Sequence, residues 1–288
     1  MMCKQIHLAV SGIPEISAVY FALLQCGYTY CFMDRSAEHN QTLQSFVGSP
    51  VDEHFFSATH QDTCEVYPWW PRAAILETAS FYLQPDLLSF REYDAFHEHI
   101  MSAGNISDLE RGHSLWDWIE NFPTALSAVC SSNAFHCYMK WENQWIIDQN
   151  AKYKDELHLI RNCLTACMNK YVSPVQDIRI VVNPIKCVYS ADYHLRENCF
   201  IACCGTLRAD SIIHEFLHHV IHPVVMAERD RFLTGNAAYP GIDQSYYLSG
   251  DTTGRLNAFE EYAVRETTKE IMKMHFPDDL GTYLFRLL

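Results

Sequence analysis

At 288 residues the chain is long enough for one large core or two smaller ones. Hydrophobic residues make up 49% and charged residues 19%, which excludes a disordered chain. Acidic residues outnumber basic ones by 35 to 21, and the basic ones form no cluster, so the field repels phosphate backbones and excludes nucleic acid as a partner.

The 12 cysteines are scattered and include no CxxC pair, which points to free thiols in a reducing compartment rather than a disulfide framework. Near the N-terminus, Ile6–Val10 is too short an apolar core for a signal peptide, and Pro14-Glu15 interrupts it. Ile16–Met33 carries no charge, yet Ser17, Gln25, Gly27, Thr29 and three tyrosines argue against a membrane span. A cytoplasmic protein with no membrane partner is expected.

Pro14-Glu15 opens a helix, Ile16, Val19, Tyr20, Leu23 and Leu24 mark its apolar face, and Gly27 ends it. Thr42, Phe46 and Val47 suggest a further short helix, and Pro68-Trp69-Trp70-Pro71 forces a turn. Ala73–Leu83 and Leu87–Met101 read as helices. His97 and His99 in the second lie on different faces, so Asp94, His97, Glu98 and His99 read as a solvated polar face. Trp116, Trp118 and Phe122 suit packing, Trp141 and Trp145 keep a helical period, and Tyr153–Tyr171 continues as helix. A soft boundary near Asn150 divides a mostly helical region, 1–150, from a C-terminal region, 151–288.

Beyond Pro174 the pattern changes to strands. Ile178–Val182 is β-branched and stops at Asn183-Pro184, Lys186–Tyr189 suggests a second strand, and Cys199–Cys204 a third. Ala227–Arg255 is rich in glycine and loop-like, and a last helix spans about Leu256–His275.

The chemistry is concentrated in Ser211–His222, which contains His214-Glu215-x-x-His218. Residues four apart share one helical face, so two imidazoles can grip one metal ion while Glu215 reaches water beside it. Ile212, Ile213, Phe216, Leu217, Val220 and Ile221 make this a buried helix, Asp210 suits its first turn, and Pro223 is expected to stop it. His219 points away from His218, and His222 reads as a helix-terminal residue beside the negative end of the dipole.

This stretch resembles the active-site helix of the zincin metallopeptidases, and Asn257–Arg265 resembles the second helix of the gluzincin branch. The resemblance implies an α+β fold, with a zincin-like C-terminal half of small sheet, HExxH helix and glutamate-bearing helix behind the helical N-terminal half. It implies one zinc per chain, a glutamate as third ligand, and an edge strand, here expected at Cys199–Cys204, that holds an extended peptide. The metzincin branch would need Gly and His where Ile221 and Val224 stand.

The implied activity is zinc-dependent hydrolysis of a peptide or protein substrate, with Glu215 as general base and His214 and His218 as ligands. For the third ligand, Leu256, Phe259 and Ala263 taken as the core face favour Glu260. Glu261 is the alternative, four residues before Arg265 in ion-pair spacing. Tyr239, Tyr246, Tyr247 and His275 are the candidate oxyanion donors. An inactive zincin-fold binding or regulatory protein is the competing reading.

Overall fold

The computed structural model of the protein describes residues 8–61, 73–102, 117–234, 238–243, 247 and 251–288. The fold is α+β, mostly helical around a small mixed sheet. Its strands are β1 (Val10–Ser11), β2 (Asp177–Val182), β3 (Ala191–Arg196) and β4 (Cys199–Cys204), in the order β1-β2-β4-β3. β1 and β4 run parallel to β2, with Val10 opposite Ile180 and Ile180 opposite Ala202, while β3 runs antiparallel to β4 at the outer edge.

Among the described residues, six α-helices precede residue 131: α1 (Pro14–Gln25), α2 (Ala37–Ser45), α3 (Glu53–Gln61), α4 (Ala73–Ser80), α5 (Tyr93–Ser102) and α6 (Phe122–Cys130). α7 (Asn133–Lys152) and α8 (Lys154–Lys170) lead into the sheet. α9 (Ala209–Ala227), α10 (Arg229–Phe232), α11 (Asp251–Met272) and α12 (Leu280–Phe285) follow it. Pro14 stands in the first turn of α1, and Gly27 takes φ +92 just beyond its end, where the left-handed region favours glycine.

The period-two alternation of strands divides the core between the two faces of the sheet. Ile178, Ile180, Val182, Phe200 and Ala202 pack with Leu164, Phe216 and Phe259 on one face. Val181, Ile201 and Cys203 pack with Phe21, Leu126 and Tyr138 on the other.

Several sequence expectations shift. Cys199–Cys204 is an inner strand, and the edge beside it is β3, which lacks the β-branched run that marks β2. Lys186–Tyr189 forms a turn instead of a strand. Gly205 explains why: a Cβ there would lie 2.0 Å from the Cys187 carbonyl oxygen, so the turn packs against bare backbone. Arg35 Nη2 ties the same place by donating to the Lys186 and Gly205 carbonyls at 2.8 and 2.7 Å. Helix formation near 87–101 begins only at Tyr93, after a bridge between Leu83 and Phe90. Pro223 lies inside α9, because losing one N–H near the end forfeits little once Val225 is packed into the core. The Pro68–Pro71 turn, Trp116 and Tyr246 lie outside the described residues.

No helix among the described residues is long and apolar enough to cross a membrane.

Candidate metal centre

α9 follows β4 closely, buries Ile212, Ile213, Phe216, Leu217, Val220 and Ile221 against the sheet, and turns its polar stripe toward α11. The two HExxH histidines stand on that stripe. His214 Nε2 and His218 Nε2 are 3.2 Å apart, and Glu261 Oε2 lies 3.5 Å from the first and 3.3 Å from the second. A tetrahedral ion with bonds of ~2.0–2.1 Å has ligand atoms roughly 3.3–3.4 Å apart, so this triangle has the size of one face of a zinc coordination sphere. Two imidazoles and one carboxylate also form the donor set of a catalytic site that leaves a position open.

Of the two candidate third ligands, the structure brings Glu261 to both Nε2 atoms and not the favoured Glu260. Glu261 faces both Nε2 atoms, whereas Glu260 Oε1 meets the other nitrogen of His218, Nδ1, at 3.1 Å. Glu260 Oε2 reaches His222 Nδ1 at 2.8 Å. The core face of α11 is wider than Leu256, Phe259 and Ala263. α11 is buried along a second stripe as well, through Ala258, Glu261, Val264 and Thr268. The expected Glu261–Arg265 pair is present at 2.6 Å, but it uses Oε1 and leaves Oε2 for the histidines.

The ionisable groups of the triangle shift one another. Burial opposes charge on Glu261, yet His214 and His218 hold its carboxyl well below the usual range. Glu260 is lowered likewise, burial being overcome by His218 and His222. Burial also disfavours a charged His218, but hydrogen bonds to Glu260 and Glu261 push it up to about 10. Carboxylates that hold a proton this firmly on an imidazole suit a divalent cation in its place.

Glu215 lies beside the triangle, one residue past His214, and lines the same cleft. Burial pushes its carboxyl up to about 8, with the charge of His218 working against the shift. The cleft is about 690 Å³ and is bounded by Tyr189, Ala191, Asp210 and Ser211 as well as His214, Glu215, Glu261 and the exposed side of α11.

The remaining candidates separate. Tyr239 is buried against Phe259 and Tyr262, and Tyr247 accepts a hydrogen bond at its hydroxyl from Tyr239 N–H. Neither lines the cleft, nor does His275, which faces Glu270 at 3.5 Å. Tyr246 lies outside the described residues. His219 meets Ser173 Oγ at 2.9 Å. Sequence reasoning passed over β3, and with it Tyr193, whose hydroxyl is pushed up to about 12 by burial and by the charges of Glu260 and Glu215 nearby. It also read His222 only as a helix end, although Glu260 links it to His218.

A second cluster brings Glu77, His194 and Cys203 together behind β3. Lys186 Nζ already supplies a cation there, 2.5 Å from Glu77 and also bonded to Asp192. His194 Nε2 adds a contact to Glu77 at 2.9 Å. This buried network joins α4 to the sheet and needs no metal to balance it.

No family model, curated protein or solved structure matches the chain.

Proposed function

We propose that this protein is a zinc-dependent peptide hydrolase of gluzincin type, holding one zinc on His214, His218 and Glu261. The observation that carries the reading is the 3.2–3.5 Å triangle of donor atoms opening onto a cleft that also contains Glu215. When bound, the metal supplies Lewis acidity, polarising a substrate carbonyl and making water acidic near neutral pH. Glu215 takes a proton from the attacking water and passes it to the leaving nitrogen as the C–N bond breaks, giving a carboxylate and an amine. Glu260 fixes the His218 ring through Nδ1, so that Nε2 presents its lone pair to the cleft.

Substrate placement follows from the sheet. β3 is its outer strand, and Tyr189 and Ala191 border the cleft where that strand begins. An extended peptide adds to this edge through backbone hydrogen bonds, bringing a carbonyl toward Glu215.

The test combines metal analysis with peptide hydrolysis. Purified protein supplied with zinc should hold about one ion per chain and cleave an unbiased peptide mixture, with activity removed by a chelator and restored by zinc. Absence of bound zinc, or cleavage indifferent to chelation, overturns the proposal.

A further inference from the structure

The wall of the cleft beyond the metal centre carries charge opposite to that of the whole protein. The chain has a formal net charge of −14, yet Arg265 and Lys269 on α11 and Lys273, the residue just past its end, follow one another at four-residue intervals, and all three border the cleft. Four-residue spacing keeps Arg265 and Lys269 on one face of the helix, and Lys273 extends that cleft wall at the helix end, so the three form a row leading away from Glu261. The acidic residues of the cleft are otherwise engaged. Glu215 and Glu261 belong to the metal centre, and Asp210 is gripped through both oxygens by Arg208, at 2.7 and 3.1 Å.

Arg265 is committed to Glu261 and to the Gly241 carbonyl at 2.6 Å. Lys269 and Lys273 are freer. Their side chains are 63% and 62% exposed, and each has one carboxylate partner three residues earlier, Glu266 and Glu270. Exposed pairs of this kind contribute little, about 0–1 kcal/mol, and an ammonium has three donors, so each lysine can accept a second anion.

We infer that Lys269 and Lys273 select peptide substrates carrying acidic residues on one side of the cleaved bond; this inference rests on the hydrolase reading. The reach follows from chain geometry. At ~1.5 Å per helical residue, Lys269 stands roughly 12 Å along α11 from Glu261, and Lys273, one residue past the helix end, roughly 18 Å. An extended peptide covers those distances in about four and about five residues. Because the rest of the surface repels an acidic peptide, this local row also steers the segment into the cleft.

The test uses full-length, zinc-supplied Glu215→Gln protein and two fluorescein-labelled peptides, read by fluorescence polarisation. One carries glutamates four and five residues on either side of an Ala-Phe centre, and the other carries glutamines there. The acidic peptide should bind about 3- to 10-fold more tightly, as two exposed ion pairs allow, and raised salt should abolish the preference. Lys269→Glu/Lys273→Glu should reverse the preference and Lys269→Gln/Lys273→Gln remove it, both with unchanged circular dichroism and zinc content. Equal binding of the two peptides, binding of neither, or a preference that survives the lysine changes overturns the inference. The two readings fail separately. A retained acidic preference without zinc or hydrolysis removes the peptidase proposal alone, and chelator-sensitive cleavage without acidic preference removes the lysine wall alone.

Discussion

Glu260 and Glu261 are neighbours on α11, yet they address opposite nitrogens of His218: Oε1 of Glu260 lies 3.1 Å from Nδ1, and Oε2 of Glu261 lies 3.3 Å from Nε2. One carboxylate orients the ring, and the other shares the side that faces His214. Adjacent residues divide the work because His222 draws Glu260 toward the C-terminal end of α9, while His214 and His218 draw Glu261 one turn back.

Separate alanine variants should therefore differ in degree. Glu261→Ala removes a donor and should abolish stoichiometric zinc. Glu260→Ala should retain the ion with affinity reduced by about 10–100-fold, the usual cost of losing the group that orients a ligating histidine. Competition titration against a chromophoric chelator measures both. The opposite order would restore Glu260 as the third ligand.

Glu215→Gln should bind zinc normally, because Glu215 is absent from the donor triangle. Peptide hydrolysis should drop by roughly 10²–10⁴-fold, the scale of a lost general base. Metal content by elemental analysis and kcat on one peptide are the measurements. Loss of zinc together with activity would make Glu215 a ligand instead.

The buried Lys186 holds two acidic partners at once, Glu77 and Asp192. With Lys186 beside it, Glu77 stays ionised despite burial, its carboxyl drawn down to about 2. Lys186→Met should cost about 3–5 kcal/mol in urea denaturation, since it strands buried carboxylates. A loss under about 1 kcal/mol would show that they find other partners.

Glu142 provides a pH dependence of opposite sign. Burial pushes its carboxyl from 4.5 to about 7, with the nearby Ser17 and Tyr138 hydroxyls favouring the charged form. Between those values the folded state binds more protons than the unfolded state, so this group's contribution falls as pH rises, by up to about 1.4 kcal/mol per pH unit. Glu142→Gln cannot ionise. Its melting temperature relative to the parent should climb between pH 5 and pH 8 and level off above. A constant difference across that range would assign Glu142 no such role.

The HExxH helix was legible because its signals agree: a four-residue spacing, apolar flanks at helical period, and an acid in the first turn. β2 and β4 were legible from their runs of apolar residues. β3 was not, since Asp192 and His194 read as polar loop until Lys186 and Glu77 are seen paired with them across the sheet. Glu261 was ranked behind Glu260 for a related reason. Periodicity locates the face toward one neighbour, and α11 has several, among them α9, Phe232 of α10 and Tyr239. The lysine row was invisible because Lys269 and Lys273 look like ordinary i,i+3 surface pairs until the cleft beside them is drawn.

The placement of β1 has a consequence for how this protein can be inherited or dissected. Residues 10 and 11 supply a strand to a sheet whose other members begin at residue 177. Glu77 neutralises a lysine more than a hundred positions later, and Asn150 receives the Val10 N–H at 2.8 Å. A fragment starting after residue 150 would keep every donor atom of the metal centre and still expose Val181, Ile201 and Cys203 to water. The HExxH motif is thus not a transplantable cassette. A gene fusion or recombination break that carried it alone would deliver the ligands without the scaffold that holds them together.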